Sequence, residues 1–333
     1  MSTRVVWGAG AIVVAAVVAS AGLAAAAVGG AGSSGAVNPA ALPLGDGHRS
    51  TSPTVGDVDS CQTSFPSTGG AQKDGPWIDT AAGTWNSTEK IKVQGAVSWP
   101  NASYAVKMTG AKRTVTTNDL PDHTTGTFPV SHTDPAAQYD VNPNHIAAQS
   151  ISWTLPAKPA SAKSPSCLSG GPIGVLDDGV LLYDALDGEG RDAVAHEILD
   201  SCDGHPDQSD SYHHHDVPSC ILTTATGRST LVGYARDGYG IYVERDAAGN
   251  LPTNADLDAC HGRTSTVVWN GKRQRIYHYD ATLEYPYTLG CYHGTPVSTG
   301  QGPGGGRGGA GPGGAGGPGP GGGPPPGGGP GGP

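Results

Sequence analysis

Histidine is the residue in this chain best placed to do chemistry, and seven of its histidines (His205, His213, His214, His215, His261, His278 and His293) fall between Cys202 and Gly294. Three are consecutive, in the run Tyr212-His213-His214-His215. On an extended strand side chains alternate, so His213 and His215 share a face about 7 Å apart while Tyr212 and His214 face the other way. Two imidazoles so spaced can share a metal ion. A second run, Tyr277-His278-Tyr279-Asp280, offers His278 as a third nitrogen if the two runs converge, with His205 and Glu197 as supporting ligands. Asp200, Asp258, Asp280, Tyr212 and Tyr277 are the candidates for outer groups that orient such ligands. Imidazole donors suit zinc or copper better than magnesium or calcium.

The same residues admit other readings. Tyrosine and histidine alternating on a strand can form a buried hydrogen-bonded ladder, each ring satisfied by a carbonyl or carboxylate. A metal-free, hydrolase-like site would use an imidazole as base and Tyr212 or Tyr277 as acid. A structural or adhesion module of the cell surface needs neither. Other chemistries lack their motifs. There is no Asp-x-Asp-x-Asp-Gly run for an EF-hand, no Gly-x-Ser-x-Gly elbow, and no P-loop lysine in the Gly-rich tail.

Two stretches that must position these residues are versions of one another. The first reads Gly174 to Tyr183, Leu199-Asp200-Ser201-Cys202, Gly204-His205, Tyr212 to His215, then Cys220; the second reads Gly233 to Tyr242, Leu257-Asp258-Ala259-Cys260, Gly262-Arg263, Tyr277 to Asp280, then Cys291. Four matching blocks in one order indicate an internal duplication. It also pairs the six cysteines: Cys202 with Cys220 and Cys260 with Cys291 are equivalent, which leaves Cys61 with Cys167. Within each copy an Asp-Gly dipeptide (Asp178-Gly179, Asp237-Gly238) between apolar runs predicts a hairpin, as does Asn270-Gly271. A short helix is expected over 191–199, with Asp192 near its start, delivering Glu197 and Asp200. Upstream, Ile91–Trp99, Tyr104–Met108, Arg113–Thr117 and Ser150–Thr154 read as strands. The fold class is therefore mainly β, with sandwich-like antiparallel sheets, a duplicated disulfide-stapled unit and one short helix.

The chain ends read differently from the core. Residues 1–28, with Arg4 before an Ala/Val run and small-residue cleavage sites, predict a secretory signal or an N-terminal anchor. Residues 29–58 read as a flexible linker, 59–170 as a β-rich part, 171–297 as the duplicated unit, and 298–333 as a disordered Gly/Pro tail. Export and cysteine usage together predict a secreted or cell-surface protein with disulfides. A net charge of −10 argues against nucleic-acid partners, and against a membrane partner beyond the N-terminal anchor.

The runs Arg191 to Glu197, Asp200 to His205, Tyr212 to His215, Gly233 to Tyr242, Leu257 to Gly262 and Tyr285-Pro286-Tyr287 resemble the YHYH domain family of secreted proteins. The resemblance spans 170–294 most clearly and extends more loosely back to about 90. His214 stands where the family motif has tyrosine. The resemblance implies export, the β fold and the disulfides, and carries no settled activity.

Overall fold

The structure is a computed structural model that describes residues 36–65 and 70–298. The expected signal or anchor at 1–28 and the Gly/Pro tail beyond Ser298 lie outside the described residues. Among the described residues no helix is long and apolar enough to cross a membrane.

Upstream lies a three-stranded antiparallel sheet of β1 (Tyr104–Thr109), β2 (Lys112–Thr117) and β3 (Ile151–Pro156). Three of the four expected strands are thus present. Ile91–Trp99 is not one: Val97 makes a single bridge to Thr125, and the backbone N–H of Val93 is taken by Leu199 O. Residues 36–58 also depart from their composition. Their Gly, Ser and Pro content reads as linker, yet Leu42, Leu44 and Val58 are buried in the main core.

The duplicated region builds one eight-stranded sheet from β4 (Pro172–Leu176), β5 (Leu181–Tyr183), β6 (Gly204–Pro206), β7 (Tyr212–His214), β8 (Ser229–Ala235), β9 (Gly240–Glu244), β10 (Gly262–Trp269) and β11 (Lys272–Asp280). Its spatial order is β6-β7-β5-β4-β8-β9-β11-β10. Each copy contributes a tight hairpin, a third strand added parallel to it, and an outer strand antiparallel to the third. The sheet is thus mixed and not purely antiparallel, because the chain leaves each hairpin through a long excursion and re-enters in the same direction. The glycines after Asp178 and Asp237 adopt φ of 91° and 88°, which the tight turns require. The copies meet at the centre, where Gly174 pairs with Ala235, Val175 with Tyr234 and Leu176 with Gly233. Val175 and Tyr234 are equivalent positions, so a pseudo-twofold axis passes between them.

The small sheet packs on the large one: Val115, Ile151, Trp153 and Leu155 form one cluster with Val175 and Leu181. Buried Arg113 crosses between the sheets, its guanidinium over the rings of Tyr234 and Trp269 at 4.2 and 4.3 Å. All three cysteine pairs form as the duplication implied.

The expected helix is a single turn, α1 (Ala193–His196), capped by the Asp192 side chain on Ala195 N. It stops early because other segments take the carbonyls a longer helix would use. Lys90 Nζ binds Val194 O, and Trp77 Nε1 donates to Ala195 O at 2.9 Å. A second short helix, α2 (Ser219–Thr224), carries Cys220 and was not anticipated.

Candidate functional site

Strand register decides which histidines meet. His205 on β6 lies directly opposite His213 on β7, and cross-strand partners share a face. His215, two residues after His213, returns to that face. The ring nitrogens of His205, His213 and His215 offer three donor atoms within 4.8 Å of one another, all buried. Glu197, in extended backbone just past α1, points its Oε2 at this group, 3.0 Å from His205 Nε2 and 3.1 Å from His215 Nε2. The two Nε2 atoms are 3.4 Å apart.

The rings are oriented from behind. His213 Nδ1 faces Ser211 O at 3.2 Å and His215 Nδ1 faces Asp184 O; a carbonyl only accepts, so each Nδ1 donates and each Nε2 is the atom left to face the cluster. Tyr183 stacks on His213 with centroids 4.0 Å apart. The carboxylate is positioned by α1, whose cap Asp192 also accepts from Tyr287 Oη at 2.8 Å on both oxygens and from Gly45 N at 2.9 Å. The cluster opens into a cavity of about 1070 Å³, where carboxylates such as Asp140, Asp187 and Asp207 outnumber the cations Lys73 and Arg191.

Electrostatics follow the packing. Burial would raise the Glu197 carboxyl, but the His205 and His215 imidazoles hold it well below its usual range. Burial, then the neighbouring His205 and His215, push His213 well below 6.5, so it is neutral and able to ligate. Burial would lower His215, and Glu197 raises it instead.

His278 is not part of this group. It lies on β11, five strands from β7 in the sheet order, or about 24 Å at ordinary strand spacing. The expectation that His213 and His278 converge therefore fails. The pseudo-twofold axis runs through the sheet centre and sends equivalent residues to opposite wings. His278 instead joins Glu244 and Asp280 in a separate buried cluster. There His278 Nε2 is 3.4 Å from Glu244 and 3.6 Å from Asp280, while Arg263 reaches Glu244 at 2.8 Å and Asp280 at 3.0 Å.

The other candidate outer groups have a different task. Tyr212 Oη donates to Asp200 at 2.9 and 3.0 Å, and Tyr277 Oη to Asp258 at 3.0 Å. Asp200 and Asp258 also accept backbone N–H groups of their cysteine loops. These pairs fasten each loop to its strand and do not touch the three-histidine cluster. The third motif position behaves likewise: Tyr279 Oη donates to Asp237 at 2.5 Å, and His214 Nε2 meets the equivalent Asp178 at 3.0 Å. His214 thus replaces a tyrosine because its Nε2–H reaches the same turn carboxylate. A further His123, Cys202 and His214 group is no thiolate site, since Cys202 is bonded to Cys220.

Residues 152–253 match the YHYH protein family. The YHYH match takes in β3 to β9, including Glu197, His205 and Tyr212 to His215, and stops before His278. No curated protein and no solved structure matches the chain. Sequence reasoning placed Asp192 at the start of the helix but missed Tyr183, Ser211, Asp184 and Tyr287 as positioning groups; of these four, Tyr183 closes a repeated block and Tyr287 falls in the Tyr285-Pro286-Tyr287 run.

Proposed function

We propose that this is an exported, disulfide-stapled protein whose YHYH-matching region binds one divalent transition metal, zinc or copper, through His205, His213 and His215. Glu197 would serve as fourth ligand or as base. The observation that carries this reading is a mismatch around Glu197. Its Oε2 is buried and lies close to two ring nitrogens, yet it makes no well-aligned hydrogen bond. Separations of 3.0, 3.1 and 3.4 Å among Glu197 Oε2, His205 Nε2 and His215 Nε2 fit ligand atoms sharing one ion, because metal bonds of about 2.0–2.1 Å in tetrahedral geometry set ligands about 3.3 Å apart, and His213 offers a ring nitrogen within 4.8 Å of the other two histidines. The Nδ1 contacts supply the backing that ligating histidines use. Three disulfides support an oxidising compartment.

With Glu197 as fourth ligand the tetrahedral site would be closed; held by the three histidines alone, with Glu197 as base, the ion would keep a position for water or a ligand oxygen, which suits Lewis-acid or hydrolytic chemistry. The acidic wall disfavours strongly anionic substrates. A second reading rests on the same short contacts: a metal-free acid–base pair in which Glu197 and His215 share a proton.

Metal analysis of the purified full chain after loading with zinc or copper and dialysis separates the two. One ion per chain is expected, lost on His213→Ala or His215→Ala with the thermal transition of the metal-free protein preserved. Wild-type protein without stoichiometric metal would sink the metal reading and leave the acid–base pair.

A further inference from the structure

The duplication lets the two wings be compared atom group by atom group. Strand registers align His205 with Arg263, His213 with His278, and His215 with Asp280, since His205 pairs with His213 as Arg263 pairs with His278. Tyr183, stacked on His213, has its counterpart in Tyr242, which lies edge-on to His278 at 5.0 Å. The second wing also has a carboxylate near its cluster, Glu244, although it comes from β9 and not from a helix end. All positions of the first cluster therefore have occupants in the second, but two ligating histidines have become Arg263 and Asp280.

We infer that the second wing is a silenced counterpart of the metal site, in which the Arg263 guanidinium supplies the positive charge that an ion supplies in the first. Two carboxylates, Glu244 and Asp280, face His278 in a pocket where His278 and Asp280 are fully buried. Such a group needs a cation to offset its charge. Arg263 bridges both carboxylates, at 2.8 and 3.0 Å. Being fixed to the chain and always protonated, it excludes a divalent ion from the same space. His278 Nε2 and both Asp280 oxygens lack aligned hydrogen bonds. Those atoms keep the inward aim of ligands although the ligand set is incomplete. Arg263 is therefore the residue that limits the chain to one ion.

This inference rests on the metal reading of the first wing, and the test separates the two. Zinc stoichiometry is measured by elemental analysis on the full chain as wild type, His278→Ala, Arg263→His/Asp280→His, and that double variant with His213→Ala. The expected numbers are one ion for wild type and for His278→Ala, two for the double variant, and one when His213→Ala is added. A double variant that folds, by its circular dichroism spectrum, and still holds one ion overturns the inference. So does a wild type holding two ions that loses one on His278→Ala, a result that decides the matter even if the double variant fails to fold. Zinc absent from wild type and present once in the double variant would remove the first-wing reading while supporting the role of Arg263.

Discussion

Replacing His214 by tyrosine, the residue its counterpart Tyr279 uses, isolates the energetic consequence of this chain's departure from the family motif. His214 is fully buried, and both its ring nitrogens face acceptors: Nε2 meets Asp178 at 3.0 Å and Nδ1 meets Asp203 O at 3.2 Å. Burial disfavours the imidazolium, but the Asp178 carboxylate outweighs it and raises His214 to about 9 from 6.5. A group whose pKa is raised on folding stabilises the protein fully below its unfolded value and loses that contribution as pH climbs through the folded value. The rise of about 2.5 units converts at 1.36 kcal/mol per unit to a ceiling of about 3 kcal/mol, lost between roughly pH 6.5 and 9. Asp178 is also 3.4 Å from His123 Nε2, so the figure stands as a ceiling. Tyrosine donates to the carboxylate without a charge change in this window, so His214→Tyr flattens the curve. Overpacking of about 1–3 kcal/mol will shift the whole curve down, which leaves its slope as the diagnostic quantity. Urea unfolding at half-unit steps from pH 6 to 9.5, with chelator and with zinc, measures that slope. Parallel curves for wild type and variant would refute the argument. A wild type that gains stability relative to the variant on going alkaline would refute its sign.

Other outcomes follow from the same geometry. Tyr277→Phe removes a hydrogen bond to the Asp258 carboxylate and should cost about 1.5–3 kcal/mol in chemical denaturation, with Tyr212→Phe in the other wing costing a similar amount. Gly204→Ala should destabilise by more than about 2 kcal/mol, because a Cβ there would lie 2.3 Å from the Tyr212 ring, and Gly262→Ala should act the same way through Tyr277 Oη at 2.4 Å. Wild-type-like melting of either glycine variant would show that the tyrosines can move aside. Tyr287→Phe frees the Asp192 cap and loosens the turn that aims Glu197, so zinc affinity by competition with a chelator should fall about 10-fold with stoichiometry unchanged.

What the residues disclosed by themselves were local patterns and equivalences. The Asp-Gly and Asn-Gly dipeptides marked the hairpins because tight turns need positive φ. The period of two put His213 and His215 on one face and His214 on the other. The repeat matched the cysteines into the pairs that form. Tertiary structure decided what no spacing encodes. A repeat states which residues are equivalent but not which symmetry relates them. Here the axis between Val175 and Tyr234 holds His213 and His278 apart, while His205, ten residues from His215, completes the cluster through the pairing of β6 with β7. Glu197 reaches it only because Trp77, Lys90 and Tyr287, distant in the chain, arrest the helix after one turn and fix its exit. Such long-range hydrogen bonds form when the chain has closed around them, and they leave no periodic trace in the sequence.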